Sequence, residues 1–420
     1  MTFRLADTPE GASGPVETMP PVKALLLESV HPLAERLLAE AGVDVETRSG
    51  ALSEDELIES IAGVDLVGIR SKTEITDRVL DHAPDLKAIG AFCIGTNQID
   101  LASAASRGIP AFNAPFSNTR SVVELAIAEI ILMARRLTEK DRSLHEGVWD
   151  KNAKGSHEIR GRKLGIVGYG NIGSQLSVVA EMLGLQVYFY DTDDKLSLGN
   201  ATRCSSLNEL LEVAEVITLH VDGRDGNAGF FGAEQFARMR RRSLFLNLSR
   251  GFVVDYQALR ENLLSGHIAG AAVDVFPDEP KRRGDAFASP LQGIPNVVLT
   301  PHIGGSTEEA QEDIGRFVAG KLRDYVLHGT TTLNVNMPSL NLPSRGGERR
   351  LIHFHVNTPG VLAKVNSVMA QHEVNIDGQM LNTRAQTGYV VTDVSTGLSD
   401  GVLDELRAMP ETIRLRVIDG

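Results

Sequence analysis

Arg250, Glu279 and His302 offer a cation, a carboxylate and an imidazole within one stretch of the chain. Oxidising a secondary alcohol needs a base for the hydroxyl proton, a group that tunes the base, and a cation for a negatively charged substrate. Histidine suits the first role, with an ordinary pKa of about 6.5. A carboxylate hydrogen-bonded to the imidazole orients it and favours its protonated form. Arginine's planar fork pairs with a carboxylate through two hydrogen bonds and polarises a nearby carbonyl. Each residue follows an apolar run that reads as a strand: Leu244 to Leu248 before Arg250, Ala271 to Val275 before Glu279, and Val297 to Leu299 before His302. Open α/β sheets bind ligands at such strand ends. Singly, the three read equally well as a surface cation, a solvated loop acid and a core histidine; it is their succession that points to chemistry.

The partner of that chemistry is written upstream. Gly168-Tyr169-Gly170-Asn171-Ile172-Gly173 follows the apolar run Leu164 to Val167 and precedes Ile172, Leu176, Val179, Ala180 and Leu183 at helical spacing. The glycines therefore sit at a strand-to-helix turn. Gly168 permits the turn, Gly170 lets a pyrophosphate approach the backbone, and Gly173 allows close helix–strand packing. A lone motif of this kind is weak, and an ordinary glycine-rich turn is the bland alternative. Here Val187 to Tyr190 ends in Asp191, 18 residues past Gly173 and near the roughly 20 expected of an acid that binds ribose hydroxyls. Its carboxylate would repel the 2′-phosphate of NADP, so NAD is the expected cofactor. The turn, including Tyr169, Asn171 and Ile172, is assigned to the cofactor together with Asp191 and Asp274.

The 420 residues suffice for two or three domains. A net charge of −13 with dispersed basic residues argues against nucleic acid or an anionic membrane as partner. Cys93 and Cys204 are far apart, so neither a disulfide framework nor a metal-ligand spacing is expected, and a reducing cytoplasm fits. The apolar stretch Leu125 to Ala134 is too short for a bilayer and is broken by Glu129.

Residues 1–22 read as a flexible extension without the features of a signal peptide. Alternating strands and helices from Lys23 predict an α/β substrate domain over 23–119 and 301–336, interrupted by a nucleotide domain over 120–300. The helix after His302, with Ala310, Ile314, Phe317, Val318 and Leu322 on one face, is the segment expected to return to the first domain. Two crossings would make a hinge and a cleft. Residues 337–348, rich in Pro, Ser and Gly, read as a linker. The remainder, 349–420, has the order βαββαβ, a ferredoxin-like unit. Alternation puts Ile352, Phe354 and Val356 on its core face and His353, His355 and Asn357 on the other. The amide of Gly360, at the start of the next helix, suits a carboxylate, and the side-chain carbonyls of Asn357 or Asn375 suit an ammonium.

The glycine turn, Leu248-Ser249-Arg250-Gly251, Asp274 to Pro280 and Pro301 to Thr307 together resemble the signature segments of the D-isomer-specific 2-hydroxyacid dehydrogenases. The resemblance implies a Rossmann nucleotide-binding domain beside a discontinuous flavodoxin-like substrate domain. The C-terminal unit resembles an ACT domain. Together these imply NAD-linked oxidation of 3-phospho-D-glycerate to 3-phosphohydroxypyruvate, the entry to serine biosynthesis, in a homo-oligomer expected to be a tetramer. On that resemblance His302 is the acid/base, Glu279 its partner and Arg250 the carboxylate ligand. Arg70, Ser71, Ile94 and Gly95 match substrate-domain segments. Trp149 and Lys151 match a segment that approaches the neighbouring subunit, where Lys151 would hold the phosphate. His355, Asn357, Gly360 and Asn375 match an L-serine site, so feedback inhibition is expected; a domain used only for dimerisation is the alternative. Two other activities stay open: a dehydrogenase of 2-hydroxyglutarate, hydroxypyruvate or glyoxylate, and an NAD-sensing binding module.

Overall fold

The computed structural model describes residues 22–280, 284–343, 349–395 and 398–419; residues 1–21 of the expected N-terminal extension and part of the expected linker lie outside them. Three sheets organise the chain. The first is parallel and contains β1 (Lys23–Leu26), β2 (Asp44–Thr47), β3 (Leu66–Ile69), β4 (Ala88–Ala91) and β5 (Ala111–Asn113), in the order β2-β1-β3-β4-β5. That is the flavodoxin-like order, with its switch point between β1 and β3. Both β3 and β4 are buried throughout, which is why they read as continuous apolar runs.

The second sheet is also parallel: β6 (Lys163–Val167), β7 (Gln186–Tyr190), β8 (Thr202–Arg203), β9 (Val216–Leu219), β10 (Ser243–Asn247), β11 (Ile268–Val273) and β12 (Val297–Leu299). Their order, β12-β11-β10-β9-β6-β7-β8, is that of a Rossmann fold with its switch point between β6 and β9. The helix Thr119–Arg135 leads into this half and packs Val122, Val123, Ala126 and Ile130 into the same core as Leu164, Ile166 and Leu246.

The helix Glu308–His328 carries the chain back. Ile314, Val318, Ala319 and Leu322 join the core of the first sheet with Ala24, Leu26 and Ala88. A Cβ on Gly90 of β4 would stand 2.9 Å from both Val318 and Leu322, so glycine there lets the helix seat closely.

The third sheet is antiparallel: β13 (Arg349–Val356), β14 (Ile376–Arg384), β15 (Thr387–Val394) and β16 (Thr412–Asp419), ordered β14-β15-β13-β16. Its helices, Val361–Gln371 and Asp400–Ala408, bury one face with Leu351, Val365, Val368 and Leu406. The other face is buried as well, because Ile352, Phe354, Tyr389 and Val391 enter the core of the first sheet. His353 and His355 alternate with Ile352 and Phe354 and share the helix-covered face of Leu351, where they are as buried as those two; the face expected to be the unit's own core is instead the one packed on the first sheet, and Val356 at its end is 37% exposed. Arg350, 1% exposed, pairs bidentately with Asp393 and donates to His328 O at 2.9 Å. Within the stretch expected to be a linker, Met337 and Leu340 are buried in the shared core.

Candidate active site

The glycine turn ends β6. Gly168 has φ +90, and a Cβ there would lie 2.6 Å from His220 O. At Gly173 a Cβ would lie 2.2 Å from Gly168 O, so the helix Asn171–Met182 packs against the turn as only glycine permits. Gly170 differs, since nothing lies within 4 Å of its Cβ position. It precedes a helix whose N-terminus has no side-chain cap, leaving amide donors and the positive end of the helix dipole for a pyrophosphate. These observations fit a dinucleotide.

Asp191 closes the turn from the next strand. Its oxygens accept from the amides of Tyr169 (2.7 Å) and Asp193 (2.9 Å). The Tyr169 ring faces the core instead, stacked 3.7 Å from Phe189 and with its hydroxyl 2.6 Å from Ser177 Oγ. Only its main chain is placed to face a ligand, and its amide is already engaged by Asp191. Asn171 is exposed and donates to Pro115 O at 3.4 Å, whereas Ile172 packs against the core.

On the same sheet, His302 Nδ1 lies 2.8 Å from Glu279 Oε2, and Glu279 Oε1 accepts from the Phe276 amide at 3.0 Å. The Glu279 hydrogen bond holds the His302 imidazole above its ordinary pKa, against burial, which works the other way. Burial opposes the charge on Glu279, but the His302 bond and charge, the Phe276 amide and Arg250 outweigh it and hold the carboxyl below its ordinary range. The pair is thus biased toward imidazolium and carboxylate. With the proton on Nδ1 facing Glu279, Nε2 is the atom left to exchange a proton with a substrate.

Asp274 sets this loop. It is 2% exposed, and its oxygens accept from Thr300 Oγ1 (2.6 Å), Ile303 N (2.9 Å) and Gly304 N (2.8 Å). Assigned to the cofactor by sequence, it is engaged in the structure by residues on both sides of His302. The backbone of His302 is itself left-handed, with φ 54. Glu129, 2% exposed on the helix Thr119–Arg135, is pushed up to about 8, first by burial and then by the charge of Asp274.

Arg250 is aimed by Asn247, which is wholly buried. Asn247 Nδ2 donates to Arg250 O and to Tyr256 Oη, both at 3.0 Å, and Tyr256 Oη donates to Val275 O at 2.6 Å. A Cβ on Gly251 would lie 2.0 Å from the carbonyl carbon of Phe276, so the Arg250 turn rests on the strand end that leads to Glu279. Sequence reading missed Asn247, although its polar side chain in an apolar strand was the available signal.

From the first sheet, Gly95 faces Arg250: its Cβ position is 3.3 Å from Arg250 Nη2. Asn113 Nδ2 donates to Ile94 O at 2.6 Å. Arg70 and Ser71 follow β3, and Gln98 Nε2 donates to Arg70 O (2.5 Å) and Gly95 O (3.2 Å), joining the two loops. Lys72 lines a cavity of about 560 Å³ with Glu279, His302, Phe276 and Phe287. The structure thus brings Arg250, Glu279, His302, Gly95 and the Arg70–Lys72 loop to the facing ends of two sheets. Lys151 and Trp149 are not in that cavity's lining; both are exposed, Trp149 by 78%.

The four C-terminal candidates do not meet within one chain. His355 and Asn357 stand at the Val356 end of β13, where Val356 pairs with Thr387 and Asn357 Nδ2 donates to Ala385 O at 3.1 Å. Asn375 precedes Ile376, which pairs with Val394 opposite Arg349 at the other end. At about 3.3 Å per residue the two ends are roughly 20 Å apart. Gly360, φ 91, caps the helix Val361–Gln371 without a side-chain bond. His355 is 3% exposed, and its Nε2 has no hydrogen-bond partner.

Comparison with known proteins agrees with this architecture. Residues 127–304 match the model of the D-isomer specific 2-hydroxyacid dehydrogenase NAD binding domain, and residues 351–414 match an AHAS small subunit-like ACT domain. The D-3-phosphoglycerate dehydrogenase of Escherichia coli is 51% identical over 94% of this chain and 97% of its own length. The protein of that name from Haemophilus influenzae is 48% identical over the same shares. Among solved structures, the TT0316 protein of Thermus thermophilus superposes with a TM-score of 0.66 at 29% identity, covering 73% of this chain and 97% of that one. D-2-hydroxyisocaproate dehydrogenase, at 24% identity and a TM-score of 0.68 over 75% of this chain and all of its own, shares the fold. NAD is accordingly the cofactor, and the chain belongs to the family of D-isomer-specific 2-hydroxyacid dehydrogenases, with an ACT domain at its C-terminal end.

Proposed function

We propose that the protein oxidises 3-phospho-D-glycerate to 3-phosphohydroxypyruvate with NAD and is feedback-inhibited by L-serine. The observation that carries the reading is the His302–Glu279 pair at 2.8 Å facing Arg250 and Gly95, in a chain 51% identical over 94% of its length to a D-3-phosphoglycerate dehydrogenase. The glycine turn and Asp191 would hold NAD, which when bound would supply the acceptor for the hydride leaving the carbon that bears the hydroxyl. His302 Nε2 takes the hydroxyl proton as the carbonyl forms, and returns it in the reduction. Glu279 holds the ring and stabilises its protonated form. Arg250 pairs with the substrate carboxylate, together with amides at Ile94 and Gly95. Asp191 binds ribose hydroxyls, Asp274 keeps the His302 loop and cofactor in register, and Arg70, Ser71 and Lys151 serve the phosphate end.

Because His355 and Asn357 stand at the opposite end of the sheet from Asn375, the serine site is assigned to two ACT domains meeting edge to edge, with Gly360 offering its amide. That site requires an oligomer, and a cytoplasmic homotetramer is the assembly proposed. Among the described residues no helix is long and apolar enough to cross a membrane.

The deciding assay follows NADH oxidation with 3-phosphohydroxypyruvate, 2-oxoglutarate and glyoxylate, each with and without L-serine. Fast turnover of the phosphorylated acid, suppressed by serine, is expected. Turnover confined to an unphosphorylated acid would remove the substrate assignment. Calorimetry that detects no serine binding would remove the effector.

A further inference from the structure

Glu28 lies just past β1, where the strand order of the first sheet reverses. It is 8% exposed and left-handed, with φ 62, and Ser29 after it is left-handed too, with φ 52. Two such residues in succession cost conformational energy unless their surroundings fix them. Here the amides of Leu27, Glu28 and Ser29 donate to Gly68 O (2.8 Å), Gly50 O (3.1 Å) and Arg48 O (3.4 Å). The turn aims the Glu28 carboxylate at the loop after β3. Its Oε1 accepts from the amides of Arg70 (3.2 Å), Lys72 (3.3 Å) and Thr73 (2.8 Å). Its Oε2 accepts from those of Ser71 and Lys72, both at 3.1 Å.

Four consecutive amides converging on one anion form the kind of nest that elsewhere binds phosphate, and it lies at the switch point where this strand order binds ligands. The chain's own carboxylate fills it. We propose that Glu28 is the positioning residue of the substrate loop: it occupies the anion nest so that Arg70 and Lys72 act on the substrate through their side chains. Lys72 lines the cavity shared with His302 and Glu279. Gln98 grips the same loop from its carbonyl side, through Arg70 O. With its amides taken, the loop has no main-chain donors from Arg70 to Thr73 for a phosphate or carboxylate, and selectivity for an anionic substrate falls to the side chains whose backbone Glu28 fixes.

The inference rests on the proposed activity, and the test separates the two. Turnover of 3-phosphohydroxypyruvate by the unaltered protein tests the activity; the ratio of variant to parent, on whichever 2-oxo acid is reduced, tests Glu28. In Glu28→Gln one acceptor becomes a donor facing amide donors. KM should rise about 10- to 100-fold, the range of a small misplacement of binding groups, with kcat little changed and NADH affinity unaltered. Since Glu28 acts through the loop, the same change made in Lys72→Ala should cost much less than in the parent. An unchanged KM, or a full additive loss beside Lys72→Ala, would overturn the proposal. If Glu28→Gln does not fold, Glu28→Asp keeps the charge but is one methylene too short to span all four amides; a folded Glu28→Asp protein with the parent's KM would overturn it equally.

Discussion

Between β6 and β9 the strand order reverses beside Gly170, where a Cβ would meet nothing within 4 Å; between β1 and β3 it reverses beside Glu28, whose carboxylate is held by four successive amides. The two crevices belong to sheets of the same parallel construction. One is kept open by a missing side chain and backed by an uncapped helix N-terminus, so it suits a ligand that comes and goes. The other is closed by the chain's own Glu28 carboxylate, so it serves to hold a loop. Two similar sheets whose strand ends face each other thus divide the work under the proposed function: the second carries the glycine turn and the His302–Glu279 pair, and the first the frame assigned to the substrate's charged groups.

The sharpest break tests where the chemistry lies. His302→Ala should lower turnover by roughly 10² to 10⁴ while leaving NADH binding intact, since His302 lies outside the glycine turn; steady-state kinetics beside a fluorescence titration of NADH reads both. Turnover close to the parent's would move the acid/base elsewhere. Filling the open crevice comes next. Gly170→Val has room to fold, as its Cβ position is clear, but its branches occupy the space a pyrophosphate needs; NADH affinity should fall about 100-fold with thermal stability retained. An unchanged affinity would mean that the pyrophosphate does not approach Gly170. Asp191→Ala should act more mildly. Losing charged hydrogen bonds to the ribose should weaken NAD about 10-fold and narrow the preference over NADP, as measured by kcat/KM with each.

The open crevice was legible in the sequence, and the closed one was not. Gly168, Gly170, Gly173 and Asp191 fall within one strand–helix–strand unit, so their spacing is readable locally even though Gly168 also makes room for His220. Arg250, Glu279 and His302 were legible for a related reason: strand ends in a parallel sheet gather at one edge, so the order of strands suffices to place them together. Glu28 contacts amides 42 to 45 positions away, and nothing in Leu27-Glu28-Ser29 marks the left-handed turn that aims it. Likewise, the alternation of β13 separated its two faces but mistook which one the unit's own helices cover: Leu351 faces those helices, while Ile352 and Phe354 pack with Tyr325 and Met337 from another part of the chain, which local alternation cannot reveal. That the Tyr169 ring stacks on Phe189 in the core, leaving only its main chain on the turn, was not legible, because the contact is tertiary.

The smallest effect concerns the tuning of His302. Its imidazole is raised above the ordinary value chiefly by the Glu279 hydrogen bond, so Glu279→Gln should lower it. Reduction needs the protonated ring as donor, and oxidation needs the neutral ring as acceptor. In the parent, kcat/KM for reduction should therefore fall as pH rises through the raised pKa, while kcat/KM for oxidation should fall as pH drops through it. In Glu279→Gln both limbs should move to lower pH, leaving reduction slower at neutral pH and oxidation active at more acidic pH than in the parent. A uniform loss at every pH, with both limbs unmoved, would show that Glu279 orients the ring without setting its proton affinity. Asp274 would then be the carboxylate to examine, because its charge also raises the His302 pKa and its oxygens already hold the backbone on the C-terminal side of that histidine.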